Sequence, residues 1–273
     1  MRYFVHIGYN GLNYRGWQRQ SRVLTVQEVM ETSISRVFGK SITCIGCGRT
    51  DAMVHAAQYF FHFDIDLNWT FNLLLRLNKV LPDDIAVFDI IPVEGKPHAQ
   101  FDAIMRTYEY FIHTHKDPFL HGLSALYEEP NLNLEHMMQA AYLLPKYTDF
   151  SLFCKSPEKN DCNICDVYSA KLYVNDQADR LRFQISSNRF IKGMIRIIVK
   201  RLLDIGKGIL TVEEFEGILQ GRIKPKEITI AYPQGLYLVK VKYPFLDLPT
   251  SPDFFGVASN HDFYWKEVTH SKD

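Results

Sequence analysis

Residues 2–9 (RYFVHIGY) alternate, with Tyr3, Val5, Ile7 and Tyr9 on one face, and Asn10-Gly11 follows as a turn signal. This pattern predicts an opening strand. The period then lengthens: Val26, Val29, Met30, Ile34, Val37 and Phe38 recur at helical spacing behind the capping-box string Thr25-Val26-Gln27-Glu28, and Gly39 ends the run. Residues 41–47 (SITCIGC) and 58–65 (QYFFHFDI) read as strands flanking an irregular stretch. A helix over 70–80, closed by Pro82-Asp83-Asp84, leads to a strand over 85–93 and a long strand-like run over 98–115. Further on, the pattern predicts a helix over 133–144, strands over 166–174 and 180–187 around Asn175-Asp176, and a long helix over 189–204. Another helix is capped at Thr211, and a strand over 235–243 closes the series. Strands and helices alternate in both halves while long antiparallel runs dominate, which predicts two α+β halves sharing a mostly antiparallel sheet. The boundaries read as 1–104, 105–248 and a tail over 249–273 with Pro249, Pro252 and a polar end.

Composition narrows the class without naming a function. The chain has 273 residues, 47% of them hydrophobic and 23% charged, as in an ordinary globular protein large enough to fold without staples. No run approaches a membrane span and no signal segment precedes the first strand pattern, so a cytoplasmic protein is expected. Five cysteines argue for reduced thiols. Cys44-x-x-Cys47 and Cys162-x-x-Cys165 offer four thiolates on paper, but positions three apart on a strand face opposite sides, so no metal is expected. His113 and His115 share a strand face without a third ligand. Nucleophile-elbow, P-loop and dinucleotide-binding glycine patterns do not occur.

Formal net charge is zero, so any affinity for nucleic acid must lie in how charge is distributed. Tyr14, Arg15, Trp17, Gln18 and Arg19 interleave aromatic and basic groups, a composition suited equally to stacking on bases and to a half-buried strand edge. On a helix starting at Arg189, Lys192, Arg196 and Lys200 fall within about 60° of it, and Ile191, Ile195, Ile198 and Leu202 lie opposite. Asp204 is the only acidic residue among six basic ones between Arg189 and Lys207. A solvated charged face accounts for the same clustering; if these groups meet RNA instead, Arg15, Arg19, Arg189, Lys192 and Lys200 are the candidate contacts.

The stretch 48–56, GRTDAMVHA, concentrates candidate chemistry. Arg49 and Asp51 stand two apart in a glycine-opened strand connection, the kind of loop that carries function on a rigid scaffold. A surface ion pair shaping a turn accounts for the same spacing. His55 reads as a structural hydrogen-bonding group in this loop.

The string resembles the GRTDxGVHA signature of the tRNA pseudouridine synthase A (TruA) family. YNGLNYRGWQRQ, FDAIMRTYEYFIHTHKDPF, DFSLFCKS, NRFIKGMIRIIVKRLLDIGKG and GLYLVKVKYP follow that family's order over residues 1–245. The resemblance implies two α+β halves with an RNA-binding active-site cleft between them, a homodimer, tRNA as partner, and isomerisation of uridine to pseudouridine in the anticodon stem-loop, at tRNA positions 38 to 40. It implies no cofactor, since the reaction breaks N1–C1′, turns the uracil and rejoins it through C5 without redox change. Asp51 maps onto the catalytic carboxylate and Arg196 onto the arginine that favours its ionised form. Arg49 maps onto a residue that helps extrude the base, Tyr108 onto the tyrosine that stacks on it, and Leu236 onto an apolar wall. Attack on the ring, attack on the sugar and removal of a ribose proton are all open to the carboxylate. Three departures mark a divergent branch. Met53 replaces the family's glycine, and a positive φ there would strain it. Ile104-Met105 replaces a smaller, polar pair, and EITIAYPQ precedes GLYL in place of Ala/Pro-rich sequence. A protein that keeps the fold and binds or remodels RNA without turnover is the alternative.

Overall fold

The computed structural model describes residues 1–129, 131–249 and 265–269. They form two compact units divided at Ile104/Met105, with the segment beginning at Tyr237 belonging to the first. The strand expected to close the second half thus begins the return of the chain to the first. Most of the tail expected over 249–273 lies outside the described residues.

In the first unit, β1 (Arg2–Tyr9) is central, antiparallel to both β3 (His55–Asp64) and β4 (Ile85–Val93). The short β2 (Ile45–Gly46) pairs antiparallel with β3 on the edge away from β1, and β9 (Leu236–Lys242) joins that same edge in parallel at its start, with His55 opposite Tyr237. Helices α1 (Val26–Phe38) and α2 (Leu73–Val80) complete the unit. Thr25 caps α1 by accepting from the Glu28 N–H, and Gly39, at φ 64, ends it in the left-handed conformation that a residue without Cβ adopts without strain.

Nine of the ten residues of β3 are buried. Both of its faces are covered. On one, Tyr59 stacks against Trp17 at 4.3 Å and Phe63 meets Tyr3 at 5.7 Å. On the other, Phe60 meets His6 at 4.9 Å and the edge of Tyr243 at 5.6 Å. Tyr243 is held there by its hydroxyl, which donates to the Ala99 carbonyl at 2.7 Å, so the chain beyond β9 acts as a lid on this face.

His62, on the same strand, is fixed in its neutral form. Its Nδ1 accepts the Ala99 N–H at 3.1 Å, and its Nε2 is buried without a hydrogen-bond partner among the described residues. Burial, then the Arg2 guanidinium and the neighbouring His98, push its pKa from 6.5 down to about 4, against weaker opposing pulls from Asp64 and Asp102. An unfolded chain binds this proton more readily than the folded one, so the stability His62 contributes is complete above about pH 6.5 and is lost as pH falls toward 4. His62→Gln keeps an acceptor but cannot titrate. Its unfolding temperature is expected to fall less steeply than the parent's between those pH values, and parallel curves would contradict the assignment.

In the second unit, β7 (Val167–Val174), β8 (Arg180–Ser187) and β5 (Met105–His113) form an antiparallel sheet with β8 in the middle. β6 (Ala125–Leu126) adds to β5 in parallel and β10 (Lys266–Glu267) to β7 antiparallel. Helices α3 (Leu134–Leu143), α4 (Met194–Gly206) and α5 (Val212–Leu219) complete it, and Thr211 and Glu214 form a capping box at α5 with both halves closed. Among the described residues, no helix is long and apolar enough to cross a membrane.

The strand expected over 41–47 is reduced to the two residues of β2, and two longer elements are also shorter than the pattern implied. The run 98–115 yields a strand only from Met105, because His98 Nδ1 accepts the Gln100 and Phe101 N–H groups and Asp102 accepts the His98 N–H, closing a turn. The helix expected over 189–204 begins at Met194, because Gly193 sits at φ 78 and interrupts helical geometry immediately before it.

Candidate active site

The loop between β2 and β3 takes its shape from what packs beneath it. The Tyr59 hydroxyl donates to the Gly48 carbonyl at 2.6 Å, and the Cys47 N–H bonds the Phe60 carbonyl at 2.8 Å. Residues 10–17 run alongside. The Met53 N–H donates to the Tyr14 carbonyl at 3.1 Å, the Gly11 N–H to His55 Nδ1 at 3.0 Å and the Trp17 N–H to the Thr50 hydroxyl at 3.1 Å. The approach is as close as a backbone permits: a Cβ on Gly11 would lie 1.9 Å from the Val54 carbonyl oxygen, and one on Gly16 2.1 Å from that of Thr50. His55 is buried and stacked on Tyr237 at 4.3 Å, which gives it the structural role expected of it.

On this scaffold Arg49 is exposed and Asp51 half-buried. The Asp51 carbonyl accepts the Val54 N–H at 3.2 Å, closing a tight turn, and Met53 inside that turn has φ 63. The position normally filled by glycine therefore does demand the left-handed conformation, and methionine occupies it at a cost of about 1–2 kcal/mol. Met53→Gly is expected to raise stability by up to about 1 kcal/mol, the remainder being offset by the freer unfolded chain, as read from the urea midpoint. Destabilisation by this change would contradict the strain.

Tyr14 and Trp17 are buried, and the Tyr14 hydroxyl donates to Asp84 at 2.5 Å. These two aromatics support the loop, and the interleaved run presents only its polar members outward. Arg15 is exposed, whereas Arg19 is bridged to Glu31 at 2.9 Å.

In the second unit, Tyr108 lies on β5, buried, with its ring edge-on to Phe190 at 5.2 Å. Arg196 lies in the first turn of α4, 8% exposed, and is clamped to Ala231: its Nε donates to the Ala231 carbonyl at 2.8 Å while its own carbonyl accepts the Ala231 N–H at 2.9 Å. The adjoining Tyr232 carbonyl accepts the Tyr110 hydroxyl at 2.7 Å, and its N–H donates to the Tyr127 hydroxyl at 3.1 Å. Burial and the neighbouring Tyr127 push Tyr110 well above an ordinary phenol, so it stays a donor. Leu236 follows at the start of β9, buried. Gly235 makes this possible, since a Cβ there would lie 2.7 Å from the Phe111 carbonyl oxygen. Arg196 and the chain leading to Leu236 are thus tied together within this unit through residues 231–235. Tyr110, Tyr127 and Tyr232 were not singled out in the sequence, because a tyrosine's packing partner leaves no mark in a local pattern.

The single basic helical face expected over 189–204 does not form. Arg189 and Lys192 are exposed but precede the helix, Arg196 is buried, and Lys200 is engaged by Asp204 one turn on. Burial pushes the Cys44 thiol up and takes that of Cys165 to about 11, favouring the protonated thiol over the metal-binding thiolate.

A family model described as tRNA pseudouridine synthase matches residues 147–244. Over 246 residues, the chain is 39% identical to tRNA pseudouridine synthase A of Parabacteroides distasonis, spanning 89% of this chain and 96% of that one. It is 37% identical over 246 residues to the protein of the same name from Porphyromonas gingivalis, covering 97% of it. The Thermoanaerobacter pseudethanolicus protein of that name is 36% identical over 242 residues, with 98% of its length covered. Identity at this level along nearly the whole of each relative establishes that the chain belongs to the tRNA pseudouridine synthase family.

Proposed function

We propose that the protein converts uridine to pseudouridine in the anticodon stem-loop of tRNA, as a cytoplasmic homodimer and without a cofactor. The observation that carries this reading is the 48–56 loop: it is held through its backbone at Gly48 and Met53 and through the side chains of Thr50 and His55, while Arg49 is exposed and Asp51 half-buried. Rigid support for the loop that bears a carboxylate is what a positioned nucleophile or base requires.

In this reading Asp51 supplies the carboxylate that attacks the nucleoside or takes a proton from it, and Arg196 is the arginine that pairs with it. Arg49 assists the exit of the target uridine from its stack, Tyr108 receives the base on its ring and Leu236 walls it. The isomerisation itself balances internally: the N1–C1′ bond is exchanged for C5–C1′, and the C5 hydrogen leaves as a proton while N1 gains one. Arg15, Arg189 and Lys192, all exposed, contact phosphates and make affinity depend on salt. Arg19 and Lys200 contribute less, because each already serves an acidic partner.

The test is chemical mapping of pseudouridine in unmodified tRNA transcripts after incubation with the purified protein. New pseudouridines confined to the anticodon arm support the reading. Modification elsewhere overturns the site, and salt-dependent binding without any pseudouridine favours the non-catalytic alternative.

A further inference from the structure

Between Arg49 and Asp51 lies a residue that is buried. Thr50 is 8% exposed, whereas Arg49 is exposed and Asp51 half-buried. Its hydroxyl is held from two places far apart in the chain: the Trp17 N–H donates to Oγ1 at 3.1 Å, and the Tyr9 hydroxyl shares a hydrogen with it at 2.9 Å. A hydroxyl has one donor and two acceptor sites, so one group engages both neighbours at once. Both neighbours are themselves immobile. Tyr9 ends β1 and packs on Tyr59 at 5.6 Å, and Trp17 is stacked on Tyr59 and anchored through its carbonyl to the Gln27 N–H of α1 at 2.9 Å. Next to this anchor, the Thr50 carbonyl faces Gly16 so closely that no side chain fits there.

We propose that Thr50 is a positioning residue for Asp51, its hydroxyl fixing the direction in which the loop presents the adjoining carboxylate. The inference rests on Asp51 being the catalytic group. It concerns the bond network beneath Asp51, not the chemistry above it. Without the hydroxyl, a buried N–H and a buried phenol each lose a partner, and the loop rotates to recover hydrogen bonds. A misplacement of about 1 Å at a reacting group is worth on the order of 100-fold in rate.

The experiment compares Thr50→Val, which has the same shape without the hydroxyl, with Thr50→Ser, which restores it. For each, kcat and KM for a tRNA transcript, tRNA affinity and unfolding temperature are measured. Thr50→Val is expected to lower kcat about 100-fold with KM and affinity nearly unchanged, and Thr50→Ser to recover most of that loss. Tyr9→Phe removes only one of the two bonds and is expected to lower kcat by a smaller factor; it remains informative if Thr50→Val does not fold. Full kcat in Thr50→Val, or in Tyr9→Phe when only that variant folds, overturns the inference, as does a loss confined to KM. An inactive parent chain overturns the proposed function instead, so the two failures are distinct.

Discussion

Asp51→Asn is expected to form pseudouridine about 10⁴-fold more slowly than the parent chain while binding tRNA as well or slightly better. Asparagine has nearly the same shape but is neither a nucleophile nor a base near neutral pH, and a positioned base alone contributes about 10²–10⁴-fold, with covalent participation adding to it. The loop around residue 51 is set by hydrogen bonds with the Tyr14 carbonyl, the Trp17 N–H and the Tyr59 hydroxyl that this exchange does not touch, so the fold and the exposed basic residues stay as they are. Removing one negative charge also lessens repulsion of phosphate. Single-turnover rates and binding at two salt concentrations check both halves of the expectation. Parent-like rates in the variant would remove Asp51 from the mechanism.

Gly11→Ala is expected to cost about 3 kcal/mol of stability in the first unit, the upper end of ordinary overpacking. The cause is steric: the new methyl carbon would sit 1.9 Å from the Val54 carbonyl oxygen, and the clash is with backbone, not with the end of a flexible side chain. Moving apart also breaks the Gly11 N–H bond to His55 Nδ1. Gly95→Ala is the control. That glycine has φ 78 and open space around it, so its substitution carries only the conformational cost of about 1 kcal/mol. Urea unfolding of the two variants separates the causes. A larger loss in Gly95→Ala than in Gly11→Ala would contradict the close packing assigned to the 10–17 segment.

Much of this was legible before any coordinates. β1, α1, β4 and β8 fall where alternation, the capping threonine and the turn signals placed them, because each of those signals is local. The signature loop was legible as well, together with the strain at Met53, since a residue replacing glycine announces the φ it has to adopt. Elsewhere long-range or side-chain effects decided. The turn ahead of β5 is built by His98 and Asp102 side chains, which an apolar pattern does not register. Gly193 cuts the basic helix short, so residues that share a face on a drawn wheel fall partly in a loop. Tyr14 and Trp17 were open to two readings because an aromatic residue among arginines looks alike whether it meets a base or, as here, the underside of a loop.

Pseudouridine synthesis by this chain forms a carbon–carbon glycoside at a uridine. Rejoining the base through C5 expels the C5 hydrogen, so tRNA transcribed with uridine tritiated at C5 reports the reaction directly. Stoichiometric release of tritium to water is expected from the parent chain, one per uridine converted, and none above background with Asp51→Asn. Tritium retained by tRNA that the folded parent chain binds would contradict it.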